Sequence, residues 1–284
     1  MRFTIITYNV ERGFHSRRHK LNAGRLAAAQ KAVRMVNPDI LALTESCYGG
    51  KNSQKITMNY QEIFGFPYGK FGGYPCFGPR KGNEGGNCLL SKYPMEAEVI
   101  KLASKGAVRG RITLEDTVLT IDVVHPSCSM DDLKKIQTLE PLILKRARPY
   151  MMTGDLNTVH PDDHHDWGRL RDELMEFDKK MAYNIISCWQ QAVLVRWLLG
   201  IGLSDAFPES RRESTVPTPY AFNEPRAGVR MDFFFVSPEI KVIDAYVLKD
   251  KNTAKASDHY PIVGVFDVKQ PDNRVTSTQS ILSP

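Results

Sequence analysis

Phe3-Thr4-Ile5-Ile6-Thr7-Tyr8 is a run of β-branched and aromatic residues that stops at Asn9, the pattern of a buried strand. From Asn22 to Val36 the apolar residues Ala23, Leu26, Ala27, Val33 and Val36 recur at about helical spacing, with Asn22 placed as an N-cap and Asn37-Pro38 as a stop. Asp39 to Thr44 then reads as a short apolar strand, so the opening predicts a βαβ unit. Gly49 to Gly86 is dense in Gly, Pro and aromatic residues and predicts irregular surface loops with short strands. Strands are expected at Asn87–Leu90, Ala97–Leu102, Ala107–Leu114 and Val118–Val124, spaced so closely that each should lie antiparallel to the next. Ser129 to Lys145 predicts a helix capped at Ser129, Tyr150 to Thr153 a strand, and Asp166–Met181 and Ser187–Leu199 two further helices. Met231–Val236, Lys241–Leu248 and Ile262–Val268 close the series as strands. Strands and helices are mixed rather than strictly alternating, which predicts one α/β domain over residues 1–268 with sheets inside and helices outside. Lys269 to Pro284, polar and rich in Ser, Thr, Pro and Gln, is expected to be a mobile tail.

Several apolar strands end abruptly in a carboxylate, an amide or an imidazole: Asn9, Glu45, His125 and Asp155 with Asn157, while Asp232 begins one. Any one of these is an ordinary turn or capping residue. Together they mark the strand ends where ligands of α/β sheets gather. Glu45 follows a strand where a carboxylate must be solvated, paired or bound to a cation. In Thr153-Gly154-Asp155-Leu156-Asn157, extended alternation would aim Asp155 and Asn157 at one point, a pair that suits a hard cation and a phosphoryl oxygen bound to it. Ser257-Asp258-His259 precedes the last strand, where Asp258 could fix a backbone or an imidazole tautomer. Pro161 to Asp166, with His164 and His165 among consecutive acids, lacks the spacing of zinc sites and reads as a solvated helix start. Walker-type and GxGxxG phosphate loops and a GxSxG elbow are absent.

Composition narrows the class. The 284 residues carry 38 Lys+Arg against 32 Asp+Glu, a net charge of +6 that suits an anionic partner without demanding one. No apolar run reaches the roughly 18 residues of a membrane span, and no secretory signal is visible at the amino terminus. Five cysteines without a CxxC pair suit a reduced, cytoplasmic protein rather than a disulfide framework or a thiolate zinc site.

The motifs in order resemble those of the endonuclease/exonuclease/phosphatase superfamily of metal-dependent phosphoesterases, over nearly the whole chain. Thr7-Tyr8-Asn9-Val10 resembles the family's first-strand Asn motif and Leu43-Thr44-Glu45 its metal-binding Glu motif. Gly86 to Pro94 resembles the central strand, Val124-His125 the His motif, Gly154-Asp155-Leu156-Asn157 the GDxN motif, Arg230-Met231-Asp232 the R-x-D motif and Ser257-Asp258-His259 the closing SDH. The resemblance implies a four-layer α/β sandwich, two mixed sheets flanked by helices, hydrolysing a phosphate ester by in-line attack of water. It implies that Glu45 holds Mg²⁺ or Mn²⁺ with Asn9 nearby, and that Asp155 and Asn157 orient water and phosphate. His259, oriented by Asp232, would be base or donor, and His125 would add a second imidazole. Asp258 would serve a second metal position or the His259 backbone, and Arg230, with Asn157, would bind substrate. Inositol-phosphatase signatures are missing, and Val229 stands where an abasic-site pocket would carry an aromatic wall. Basic residues in loops near the expected site, Arg17, Arg18, His19 and Lys20, then Lys51, Lys55, Arg80 and Lys81, favour nucleic acid as substrate for a monomeric nuclease. A small or lipid phosphoester is the alternative, and a non-catalytic binding protein of the same fold a third reading.

Overall fold

In the computed structural model, which describes residues 1–16, 20–47, 59–75, 84–103, 105–177, 179–221 and 226–268, twelve strands form two six-stranded sheets among the described residues. The first has the order β11-β12-β1-β2-β4-β3 and comprises β1 (Arg2–Asn9), β2 (Ile40–Thr44), β3 (Tyr68–Pro75), β4 (Glu84–Ser91), β11 (Ile240–Val247) and β12 (Ile262–Val268). The second has the order β5-β6-β7-β8-β10-β9 and comprises β5 (Met95–Lys101), β6 (Gly106–Leu114), β7 (Thr117–Val123), β8 (Tyr150–Asp155), β9 (Ser204–Asp205) and β10 (Asp232–Val236). Each sheet is mixed, with one parallel pair, β1–β2 and β7–β8, among antiparallel ones. The sheets pack face to face, and helices cover their outer faces.

The period-two alternation of each strand divides its residues between two cores. Phe3, Ile5 and Ala42 from the first sheet meet Val123, Met151 and Phe234 from the second in the core between the sheets. Ile6, Tyr8, Leu41 and Leu43 face outward, against Ala29 and Val33 of helix α1 (Ala23–Val36). On the opposite side Tyr150, Met152, Phe233 and Phe235 pack against α3 (Asp132–Leu144) and α6 (Val193–Gly200). Helices α2 (Tyr60–Phe64), α4 (Trp167–Phe177), α5 (Lys179–Gln191) and α7 (Thr253–Ala256) complete the outer layers. The same parity carries Thr7 and Asn9, Thr153 and Asp155, and Asp232 to the inner faces at one end of the sandwich. Just below that end the Thr7 and Thr153 hydroxyls hydrogen-bond across the gap at 2.6 Å, and Thr153 Oγ1 donates to the Phe233 carbonyl at 2.8 Å.

The α1 boundaries follow the sequence: the Asn22 side chain accepts from the Arg25 amide, and Asn37, in left-handed backbone, ends the helix. Elsewhere the structure departs from expectation. Helix α3 is capped by Asp131 rather than Ser129, because the Asp131 carboxylate accepts from the Lys134 amide. Ala192, in left-handed backbone, breaks the helix expected over Ser187–Leu199 into the end of α5 and α6. Strands β4 and β5 do not pair: Pro94 lies between them where the chain crosses from one sheet to the other. Within the segment expected to be irregular, β3 is an eight-residue strand paired with β4. Arg17, Arg18, His19, Lys51, Lys55, Arg80, Lys81 and the tail 269–284 lie outside the described residues, whereas Lys20 is exposed.

Candidate active site

Each strand end delivers one polar side chain to the same rim. Asn9 closes β1 and pairs in register with Thr44, the residue before Glu45; Asp155 closes β8 directly opposite Asp232, which opens β10. Gly154 is required there: at φ +142° its ideal Cβ would overlap the Val124 carbonyl of the neighbouring strand extension. His125 follows β7 by the same parity as Val123.

These side chains converge. Asn9 Nδ2 donates to Asp155 Oδ2 at 3.0 Å and lies 3.5 Å from Glu45 Oε1. His125 Nε2 lies 3.4 Å from Asp155 Oδ2 and 3.8 Å from Glu45 Oε1. His259 Nδ1 lies 2.8 Å from Asp232 Oδ2, and its Nε2 faces Asp155 Oδ2 at 3.7 Å. Asn9, His125, Asp155, Asp232 and His259 are all buried, whereas the Glu45 side chain is 34 % exposed and forms the mouth. Asp258 hydrogen-bonds the Ser257 hydroxyl at 3.0 Å and interacts electrostatically with both His259 and Glu45.

Burial raises the Asp155 carboxyl to about 6, against the pull of His259, with Asp232 and Glu45 adding to the rise. Burial and then Glu45 raise Asp258 as well. Burial opposes a charge on His259, yet Asp232 and Asp155 outweigh it and hold the imidazole well above its usual range. His125 is pushed well below, by burial first and then by Lys105 and His259. The site therefore combines a charged imidazole, a neutral one and a group of carboxylates short of positive charge.

The sequence reading missed two contributors, Lys105 and Arg25. Lys105, in the turn between β5 and β6, places Nζ 3.2 and 3.3 Å from the two ring nitrogens of His125. Arg25 is buried on α1 and gives hydrogen bonds to the carbonyls of Val10, Glu11, His15 and Ala256, tying the loop after β1 to α7. Its one sequence signal is its position four residues before Ala29, on the buried face of the helix. Tyr220 stacks over the Arg25 guanidinium, 4.6 Å from ring centroid to Cζ.

Two expectations need correction. Arg230 does not face the site: it is 1 % exposed, chelated by Asp163 at 2.9 and 3.0 Å and by Asp205 at 2.7 and 3.3 Å, and flanked by the Phe207 and Phe233 rings. A guanidinium committed to two buried carboxylates has no donors directed at a substrate, and Asp163 is its partner rather than part of a solvated helix start. Asn157 does not continue the strand of Asp155 either. The strand stops at Asp155, Asn157 takes φ +49°, its amide donates to Asp155 Oδ1 at 2.8 Å, and its side chain donates to the Pro126 carbonyl at 3.0 Å. A turn, not strand alternation, brings Asn157 beside Asp155.

The donor set is chemically suited to a hard cation: carboxylate oxygens without sulfur, with Glu45 accessible at the mouth beside Asp155 and Asp258. Among the described residues no group of three or more His, Cys, Asp or Glu side chains is arranged to hold a metal ion. Mg²⁺ does not need one, since it is bound through one or two carboxylates and retains several waters.

The sandwich with its polar rim defines a class. The sequence profile of the Endonuclease/Exonuclease/phosphatase family matches residues 6–259, and the chain belongs to that family. Solved structures share the fold. An endonuclease/exonuclease/phosphatase from Beutenbergia cavernae superposes with a TM-score of 0.67 at 16 % identity, covering 94 % of this chain and 72 % of that one. An AP endonuclease from Archaeoglobus fulgidus gives 0.61 at 21 % identity, covering 94 % and 100 %. ANGEL2, a 2′,3′-cyclic phosphatase, gives 0.59 at 12 % identity, covering 95 % and 96 %. No curated protein matches the chain in sequence. The chain thus has a phosphoesterase fold, and among the described residues no helix is long and apolar enough to cross a membrane.

Proposed function

We propose that the chain is a Mg²⁺- or Mn²⁺-dependent phosphoesterase that hydrolyses DNA phosphodiester bonds by in-line attack of water, acting in the cytoplasm as a monomer and a single domain over residues 1–268. The observation that carries the reading is the convergence of Asn9, Glu45, His125, Asp155 and the Asp232–His259 pair on one rim of the sandwich. Glu45, with Asn9 and Asp258 beside it, would hold the divalent ion. When bound, the ion would neutralise charge on the phosphoryl oxygens.

The protein's own groups supply positioning and electrostatics. Asp232 accepts from Nδ1 and stabilises the His259 imidazolium, so that its Nε2–H points into the site as a donor to a phosphoryl oxygen. Asp155, within reach of both imidazoles, accepts the proton of the attacking water. Its carboxylate is held in place by the Asn9 side chain and the Asn157 amide. His125 borders the same carboxylate, and Lys105, against the His125 ring, brings positive charge to that side of the site. DNA is favoured over a small or lipid ester by the basic balance of the chain and by the AP endonuclease among its structural neighbours.

The reading is tested by incubating the protein with plasmid DNA, an abasic-site duplex and bis(p-nitrophenyl) phosphate, each with Mg²⁺ or with EDTA. Metal-dependent cutting of DNA is expected. Turnover of the small ester alone would move the substrate to the phosphodiesterase branch, and no metal-dependent turnover of any of them would end the proposal.

A further inference from the structure

We propose that Lys135 is a positioning residue for this reaction, acting through the Asn157 carbonyl to hold the turn that presents Asp155; the inference rests on the site reading above. Lys135 lies on α3, outside the rim, and its side chain is 1 % exposed. Lysines are almost never buried so completely unless paired. Its ammonium contacts Asp132 Oδ1 at 3.2 Å and donates to the Asn157 carbonyl at 2.6 Å. The Trp189 indole N–H of α5 donates to the same oxygen at 3.3 Å, so both lone pairs of that carbonyl are used. Asp132 is tied down in turn: its Oδ2 accepts from the Leu194 amide at 3.0 Å and from the Thr158 hydroxyl at 3.2 Å. Two helices and the residue after Asn157 therefore meet on one buried ion pair.

This arrangement bears on the chemistry because Asn157 occupies left-handed backbone while its amide holds Asp155 Oδ1. Rotation of the turn moves the carboxylate. A cavity of about 470 Å³, whose lining includes Met130, Asp132, Lys135, Cys188 and Trp189, lies beside the ion pair. Removing Lys135 alone leaves Asp132 buried without its cation and lowers the thermal midpoint as well, so activities are compared well below that midpoint.

The test uses Lys135→Met, Asn157→Ala, the double variant and Asp155→Ala, assayed on bis(p-nitrophenyl) phosphate and an abasic-site duplex with Mg²⁺, with thermal midpoints measured in parallel. Lys135→Met should lose roughly 10- to 100-fold in kcat with KM within about twofold, the scale of a misplaced catalytic group. The Trp189 indole N–H resonance, one of three in the chain, should shift. Asn157→Ala keeps the backbone carbonyl and amide that form the link, so the Lys135→Met loss should persist in that background. Trp189→Phe, which removes the second donor and keeps a ring, provides an independent arm with a smaller loss in kcat of about 3- to 10-fold. Wild-type kcat in both Lys135→Met and Trp189→Phe, or a Lys135→Met loss that vanishes without the Asn157 side chain, would overturn the proposal. Turnover surviving in Asp155→Ala would instead overturn the site reading, so the two failures are distinct.

Discussion

Replacing Arg230 with Met separates structure from catalysis at the motif where they are most easily confused. The guanidinium makes four hydrogen bonds to Asp163 and Asp205, whose side chains are each 2 % exposed, and the Phe207 and Phe233 rings lie over it. Methionine retains the apolar contacts but leaves two carboxylates buried without their cation. Breaking a buried pair in this way costs about 3–5 kcal/mol. For a chain of this size that lowers the thermal midpoint by on the order of 10 °C. Urea and thermal unfolding give the stability loss, and kcat and KM measured well below the lowered midpoint should stay within about threefold of wild type. Adding Asp163→Asn and Asp205→Asn to Arg230→Met should recover part of the midpoint, since the unpaired charges are gone. A variant with wild-type stability and a KM raised tenfold or more would place the guanidinium on the substrate and refute the argument.

Asp232→Asn should cut kcat by about 10²–10⁴ in a protein that still folds, because an amide no longer stabilises the His259 imidazolium that donates from Nε2; the kcat–KM split is the check. Gly154→Ala should fail to accumulate as folded protein, since its methyl would overlap the Val124 carbonyl; a soluble variant of normal midpoint would contradict this. Glu45→Gln should raise the Mg²⁺ concentration needed for half-maximal turnover by tenfold or more, measured by titration after EDTA treatment. His160 is held below the usual imidazole range chiefly by burial, and its Nδ1 accepts from the Asp162 amide at 3.2 Å. It therefore stays neutral in the fold while the unfolded chain takes up its proton near pH 6.5. Stability is present above that pH and lost as pH falls through the lowered folded value, and His160→Gln should flatten the fall in urea midpoint between about pH 7.5 and 5.5.

The frame of the site was legible because it depends on strand parity. Phe3, Ile5 and Thr7 alternate with Thr4, Ile6 and Tyr8, so Asn9 had to fall on an inner face, and abrupt polar endings flagged Glu45, His125 and Asp155 in the same way. What the sequence could not show was which sheet a strand joins. Four closely spaced strands invited one meander, but Pro94 carries the chain between sheets. Arg230 was misread because a motif gives the residue and not the direction of its side chain; only the folded positions of Asp163 and Asp205, 67 and 25 residues away in the chain, decide it. Lys105 and Lys135 gave no signal for a related reason. A single lysine in a turn or on a charged helix looks solvated until a long-range partner removes it from water.

The rim is assembled from two sheets. Asn9 and Glu45 belong to the first, His125, Asp155 and Asp232 to the second, and the facing hydroxyls of Thr7 and Thr153 join the two just beneath. Neither half carries a complete set of groups, so an intermediate with one sheet formed would have no active centre to misdirect at phosphate esters. Slippage of one sheet over the other by a single residue, about 3.3 Å along a strand, would carry Asn9 and Glu45 out of line with His125, Asp155 and Asp232 while leaving the backbone pairing within each sheet intact. Turnover thus reads out the alignment of the two sheets at a resolution that circular dichroism or a melting curve cannot reach.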